Sequence, residues 1–206
     1  MNDISNLADI GRGVVIGDNV TIEAFVSIMG TTKIGDNCFI RRGAIIYDDV
    51  IIGSNCTVGH GAIIRSGAII EKNVSIGNLN QIEGECVIGE GTRFHSNVHI
   101  AQFSKVGKRC FIAPGFVSTN TPHPFCPHYI TTCIKGVTLE DDVKIGCNVS
   151  TVPGVTIGHG SLIGIGAVIT KDMPAEMVIV GFPAKPVCSI YKLKCHIVDN
   201  QKPYMV

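Results

Sequence analysis

The chain has 206 residues, 45% of them apolar, and its 17 acidic residues balance 17 basic ones. That content supplies one hydrophobic core and no basic excess, which excludes nucleic acid and other charge-driven partners from the expected set. Met1 to Asp9 has neither a basic nor an apolar leader segment, and nowhere do about 18 apolar residues run without charge, so a cytoplasmic protein with no membrane span is expected.

From Ile10 onward a large aliphatic residue returns every sixth position, through Ile16, Ile22, Ile28 and so on to Ile100, Val106 and Ile112, with Phe94 taking one place. Four residues after each, the chain usually carries a small or β-branched side chain such as Val20, Ala44, Cys56 or Thr92. A helix cannot use a six-residue step, because about 100° per residue would carry the apolar position round to water. An antiparallel strand would run for about 5–6 residues and then meet a hairpin signal, whereas here Gly, Asp or Asn pairs recur every six. Ile16-Gly17-Asp18-Asn19-Val20 and Ile34-Gly35-Asp36-Asn37-Cys38 therefore read as a short β segment, a corner and another short segment. Asn19, Asn37, Asn55, Asn73, Asn97 and Asn148 stand at corners, where Asn tolerates a tight turn. A fixed period of this kind is the signature of a stacked solenoid.

Nine cysteines are present, but Cys38, Cys56, Cys86 and Cys110 occupy the small inward position and there is no C-x-x-C. They read as buried reduced thiols. After Ser118 the register breaks. It resumes at Leu139, Ile145, Thr151, Ile157, Ile163 and Ile169, and by extension back to Cys133. The step from Ser118 to Cys133 is not a multiple of six, so Thr119 to Thr132 leaves the coil as a projecting loop, and Pro122, Pro124 and Pro127 agree. A long loop on a rigid scaffold is where function is expected.

Ile-Gly-x-x followed by Val, Ala, Cys or Ser, repeated in register, resembles the hexapeptide-repeat acyltransferases. The resemblance implies an all-β fold, a left-handed parallel β-helix with three hexapeptides per coil. It also implies a homotrimer, which the outward Ile45, Ile51, Ile63 and Ile69 favour independently. The β-helix domain is expected over residues 1–186 with a C-terminal tail at 187–206. A short helix near Ile190 to Cys195 is expected to cap the open edge.

Val-Pro-Gly-Val-Thr-Ile-Gly at 152–158, the glycines at 164 and 166, and Gly-Phe-Pro-Ala-Lys at 181–185 are similar to the late coils of the coenzyme A dependent members. This likeness implies acetyl-coenzyme A as co-substrate, with Gly146, Gly164, Ala167 and Lys185 along the cofactor and Lys185 as a phosphate partner. The loop resembles two branches of the family. Thr119 through His123-Pro124 is similar to sugar O-acetyltransferases, in which the histidine is the general base. Thr119-Asn120 with prolines at 122 and 124, and Ser96-Asn97-Val98, resemble nucleotide-linked amino-sugar N-acetyltransferases, although Thr121 replaces an expected Asp.

His123 is thus the expected base, with His99 and His95 as further catalytic candidates and Asn97, Asn120 and His128 as substrate contacts. The expected reaction is direct attack on acetyl-coenzyme A by the amine of a nucleotide-linked amino sugar. The alternatives are a sugar hydroxyl and an amino acid, and the rivals of another class are a metal-dependent hydratase and an inert assembly module. No metal is expected. Val58-Gly-His60 resembles a zinc-binding carbonic anhydrase class, but Arg65 stands where the second histidine would be, and an arginine cannot bind zinc. A Cys/His group of His123, Cys126, His128 and Cys133 fits no common ligand spacing. His60 and His159 read as surface corner residues.

Overall fold

The computed structural model describes residues 1–126, 133–195, 197–198 and 201–204. It is an all-β parallel solenoid of about 10 turns that matches a left-handed β-helix with hexapeptide repeats. Most strands are only two residues long, one facing out and one facing in. Ile22, Ile40, Val58 and Ile76 stack on one face, for example, and Ile28, Ile46, Ile64 and Ile82 on the next. Along the regular coils partners are parallel and three hexads apart, so the period of six closes into three flat faces. Here they are named sheet A (Asp3–Ile4 onward), sheet B (Asp9–Ile10 onward) and sheet C (Val15–Ile16 onward).

At each corner from Gly13 to Gly166, outside the loop, the residue three places after the inward one has positive φ. At one corner that conformation falls a residue early, on Gly30. All six corner asparagines named from the sequence are among these residues, with φ between 54° and 61°. Left-handed backbone costs an ordinary L-residue roughly 1–2 kcal/mol, which explains why Gly and Asn dominate the corners.

The core is filled by the inward residues, most of them fully buried. Small inward positions do a second task. Cys38, Cys56 and Cys86 donate their thiols to the carbonyls of Gly53, Glu71 and Ala101 at 3.1–3.2 Å, and Thr92 donates its hydroxyl to Gly107 at 2.8 Å. Each of these bonds reaches into the next coil. All nine cysteines are free thiols. Burial pushes the Cys86 thiol up to about 12 and Cys110 up to about 11, so both remain protonated donors.

The loop leaves as the sequence requires, with one correction. Lys105 pairs with Thr138 and Phe111 with Lys144, so the step between partners here is longer than three hexads. The sheet B position of this coil is already taken by the chain at Val117 and Ser118, since Val117 bridges both His99 and Ser150. Cys133 therefore cannot fill an inward position, and it lies in a bend on the returning limb. The neck is closed by Lys135 N–H donating to Asn120 C=O at 2.9 Å.

The C-terminal cap is also corrected. Met177–Gly181 continues sheet A beside Leu162 and Ile163, then turns back as an antiparallel hairpin with Ala184–Ser189. A single 3-10 turn, Ile190–Lys192, follows in place of the expected helix. The hairpin covers an otherwise open sheet edge.

Two outcomes are expected. In the native protein a thiol reagent modifies Cys38, Cys56, Cys86 and Cys110 only at the rate of unfolding, and rapid modification of all nine cysteines would contradict the closed coil. Ile64→Ala lowers stability in denaturant melts by about 2–5 kcal/mol, because a fully buried side chain leaves a cavity that stacked coils cannot collapse.

Candidate active site

Across the late coils of sheet A the outward residues fall in two rows. Phe111, Lys144 and Leu162 form one, and Ala113, Gly146 and Gly164 the other. With nothing larger than a methyl group in the second row, a trough of about 520 Å³ opens, walled by Phe111, Leu162 and Ile165 and carrying Lys144 on its rim. Tyr204, from the C-terminal tail, closes one side, its ring centroid 5.2 Å from Lys144 Nζ. Lys144 also donates to Asp142 C=O at 2.7 Å.

The residues expected along a cofactor divide here. Gly146 lines the trough, and Gly164 continues the same row. Each also has a packing reason to be glycine. A Cβ at 146 would lie 2.8 Å from Ile163 O, and one at 164 would lie 2.7 Å from Val180 Cγ1. Ala167 does not line the trough. Its side chain is buried in the core, its N–H is directed to Gly164 C=O and its carbonyl accepts from Ser150 N–H, so it offers a ligand no side chain and no donor. Lys185 is exposed on the second hairpin strand, two strands beyond Leu162 in the same sheet.

The imidazoles occupy different places. His99 lies half-buried on sheet B between Gln81 and Val117. Its Nδ1 is 3.2 Å from the carbonyl of Ser118, the residue from which the loop springs, and a carbonyl can only accept. The neutral ring is therefore held with its proton on Nδ1 and a lone pair on Nε2. Nε2 is 3.8 Å from Glu83 Oε1, and Glu83 in turn pairs with Arg65 at 3.4 Å. His95 is on sheet A, its ring edge-on to Phe111 with centroids 5.1 Å apart, at the near end of the trough.

Asn97 is the corner residue between His95 and His99, with φ 58°, which accounts for its identity without a ligand. His123 is exposed on the loop, and its carbonyl accepts from Cys126 N–H at 3.1 Å. Asn120 uses its side-chain oxygen for Thr121 and its carbonyl for the loop neck. The expectation for His128 lies outside the described residues. The fold thus brings His95 to the trough and His99 to the root of the loop, and brings His123 into neither group. Phe111, Lys144, Ile165 and Tyr204 were not found from the sequence. Phe111 and Lys144 become neighbours only after the loop insertion is removed from the count. Among the described residues no group of three or more His, Cys, Asp or Glu side chains is placed to hold a metal ion, and no helix is long and apolar enough to cross a membrane.

The bacterial transferase hexapeptide family (six repeats) matches residues 13–48, 31–66 and 67–102, and the hexapeptide repeat of succinyl-transferase matches 133–171. Together these matches cover more than half of the chain. The provisionally named acetyltransferase C18B11.09c of Schizosaccharomyces pombe is 54% identical over 54 residues, 26% of each chain. The 2,3,4,5-tetrahydropyridine-2,6-dicarboxylate N-acetyltransferase of Clostridium perfringens is 42% identical over 73 residues, 34% of this chain and 29% of that one. The matched stretch thus spans under a third of the length of these relatives. Among solved structures, the polySia specific acetyltransferase NeuO superposes with a TM-score of 0.55 at 25% identity, over 92% of this chain and 86% of that one. The polysialic acid O-acetyltransferase OatWY, at 21% identity, TM-score 0.57 and coverage of 91% and 87%, shares the fold.

The orientation of His99 is directly measurable. Nitrogen-15 shifts of its neutral ring are expected to report the Nδ1–H tautomer, and an Nε2–H tautomer would break the link to Ser118.

Proposed function

Because the chain belongs to the hexapeptide-repeat transferase family, we propose that it moves an acetyl group from acetyl-coenzyme A to a small polar acceptor by direct attack. The observation that carries this reading is the trough on sheet A, in the coils that match the succinyl-transferase repeat. Its apolar walls suit the aliphatic arm of the co-substrate, and Lys144 and Lys185 are cations on the same sheet for its phosphates. The acceptor favoured here is the amine of a nucleotide-linked amino sugar. A sugar hydroxyl is the second reading, supported by the likeness to NeuO, itself a polySia specific acetyltransferase.

Either acceptor must lose a proton as it attacks the thioester carbonyl, and an imidazole with a free lone pair is suited to take it. His99 is the better supported base, because a fixed tautomer leaves Nε2 ready. His123, whose flanking prolines restrict its backbone, is the loop-borne alternative. Glu83 near Nε2 stabilises the imidazolium that results. The active assembly is proposed to be a homotrimer, with Ile51 and Ile69, each more than 40% exposed on sheet C, covered by a neighbour.

The test is thiol release from acetyl-coenzyme A against nucleotide-linked amino sugars, free sugars and amino acids, and no release with any acceptor would remove the reading. His99→Gln is expected to lower kcat by about 10²–10⁴-fold with KM for acetyl-coenzyme A nearly unchanged, while His123→Ala stays within about threefold. The reverse result moves the base to the loop. Light scattering should give three times the 21.9 kDa mass of one chain, and a single-chain mass would remove the trimer.

A further inference from the structure

Sheet A carries a second depression, between Arg41 and His95, which the trough does not include. In the outward row Glu23, Arg41, Gly59, Gly77, His95, one per coil, two successive rungs have no side chain. The result is a notch of about 230 Å³, with Thr57, Ser75, Asn78 and Ser96 on its flanks and Arg41, Arg93 and His95 around it. No carboxylate lines it.

Three observations give the notch a chemistry. First, its arginines are uncompensated. Arg65 pairs with Glu83 and Arg109 with Asp142, but among the described residues neither Arg41 nor Arg93 has an acidic partner within ion-pair distance. Second, Arg41 is held in place, its guanidinium 4.7 Å from the centroid of the Phe39 ring. Third, the backbone ladder opens at the floor. Gly59 N–H reaches Ile76 C=O and His95 N–H reaches Ile112 C=O, both at 2.8 Å, but the equivalent rung from Gly77 to Phe94 is not made. Here the paired strands meet only at Ser75 and Arg93, where neighbouring pairs on this sheet meet at two positions. Among the described residues Gly77 N–H is therefore a backbone donor without a protein acceptor, in a notch that Arg41 and Arg93 also line.

We propose that this notch binds an oxyanion, a carboxylate or a phosphate, which accepts from the Gly77 N–H and from Arg41 and Arg93. Planar guanidinium forks match both groups, and a backbone N–H adds a fixed dipole. The volume falls below the roughly 300–1,000 Å³ of pockets that enclose drug-sized ligands, so the notch takes a charged group and leaves the rest of its molecule outside. His95 stands between notch and trough, its ring against Phe111. That placement makes the occupant the acidic group of the acceptor, an assignment that rests on the transferase reading above, whereas oxyanion binding itself does not.

Calorimetry with two probes, uridine diphosphate and pyridine-2,6-dicarboxylate, tests the site on the intact protein. At least one probe is expected to bind, with affinity falling tenfold or more in both Arg41→Ala and Arg93→Ala and unchanged in the control Arg12→Ala, all three melting as wild type. Binding of the diphosphate alone identifies phosphate as the source of the charge, and of the dicarboxylate alone a carboxylate. No binding by either probe, or an equal loss in Arg12→Ala, overturns the site. For the acceptor assignment, Arg93→Ala should raise acceptor KM tenfold or more in the thiol-release assay, and an unchanged KM overturns it. Probe binding with no thiol release from any acceptor leaves the oxyanion site standing and removes the transferase reading instead.

Discussion

Everything in this molecule depends on the hydrogen bond from one coil to the next. Because most strands are only two residues long, none of these is stable alone, and all but those at the sheet ends exist as rungs between two others. Pleating points one of the two residues inward, so the spacing of rungs dictates the spacing of the core. The corners must then turn within a few residues, and they do so by placing one residue in the left-handed region. Side-chain identity follows from backbone need.

The same stacking explains why a chain with nine thiols needs no disulfide. The inward thiols are hydrogen-bond donors in the place of threonine hydroxyls, and Cys110 makes the comparison plain. Its sulfur reaches Glu140 C=O at 3.1 Å, the carbonyl of the next coil in space although the loop insertion lies between them in sequence. Buried donors with a partner cost little, and leaving the carbonyl unpaired would cost more.

The solenoid was legible in the sequence because its one structural rule is a period, and a period survives any single substitution. The asparagine corners were legible for a local reason, the tolerance of Asn for positive φ. What failed to show was whatever depends on contacts between coils that the count does not mark. Phe111 and Lys144 are separated by an insertion, and the hairpin at Met177–Gly181 breaks the period of six in favour of an antiparallel pairing. Gly59 and Gly77 looked like ordinary repeat glycines, and only the missing rung distinguishes the second. His99 could be named from the sequence, but its orienting partner is a main-chain carbonyl, which every residue carries and no motif records.

One feature of the loop bears on how such a chain can change length. Along the solenoid, each hexad advances the path by one face, and three hexads advance it by one full screw turn of about 4.8 Å. An added or deleted hexad would therefore act as a gear step, swinging every later side chain onto a different face, whereas a whole turn only displaces the later part along the axis. The inserted stretch after Ser118 does neither. It leaves from sheet B and re-enters on sheet C, the face due next, so the insertion is absorbed without rotating the remainder. The angular phase of the trough relative to His95 and His99 is thus independent of loop length, and the loop can lengthen, shorten or change composition while the two ends of the molecule stay in step.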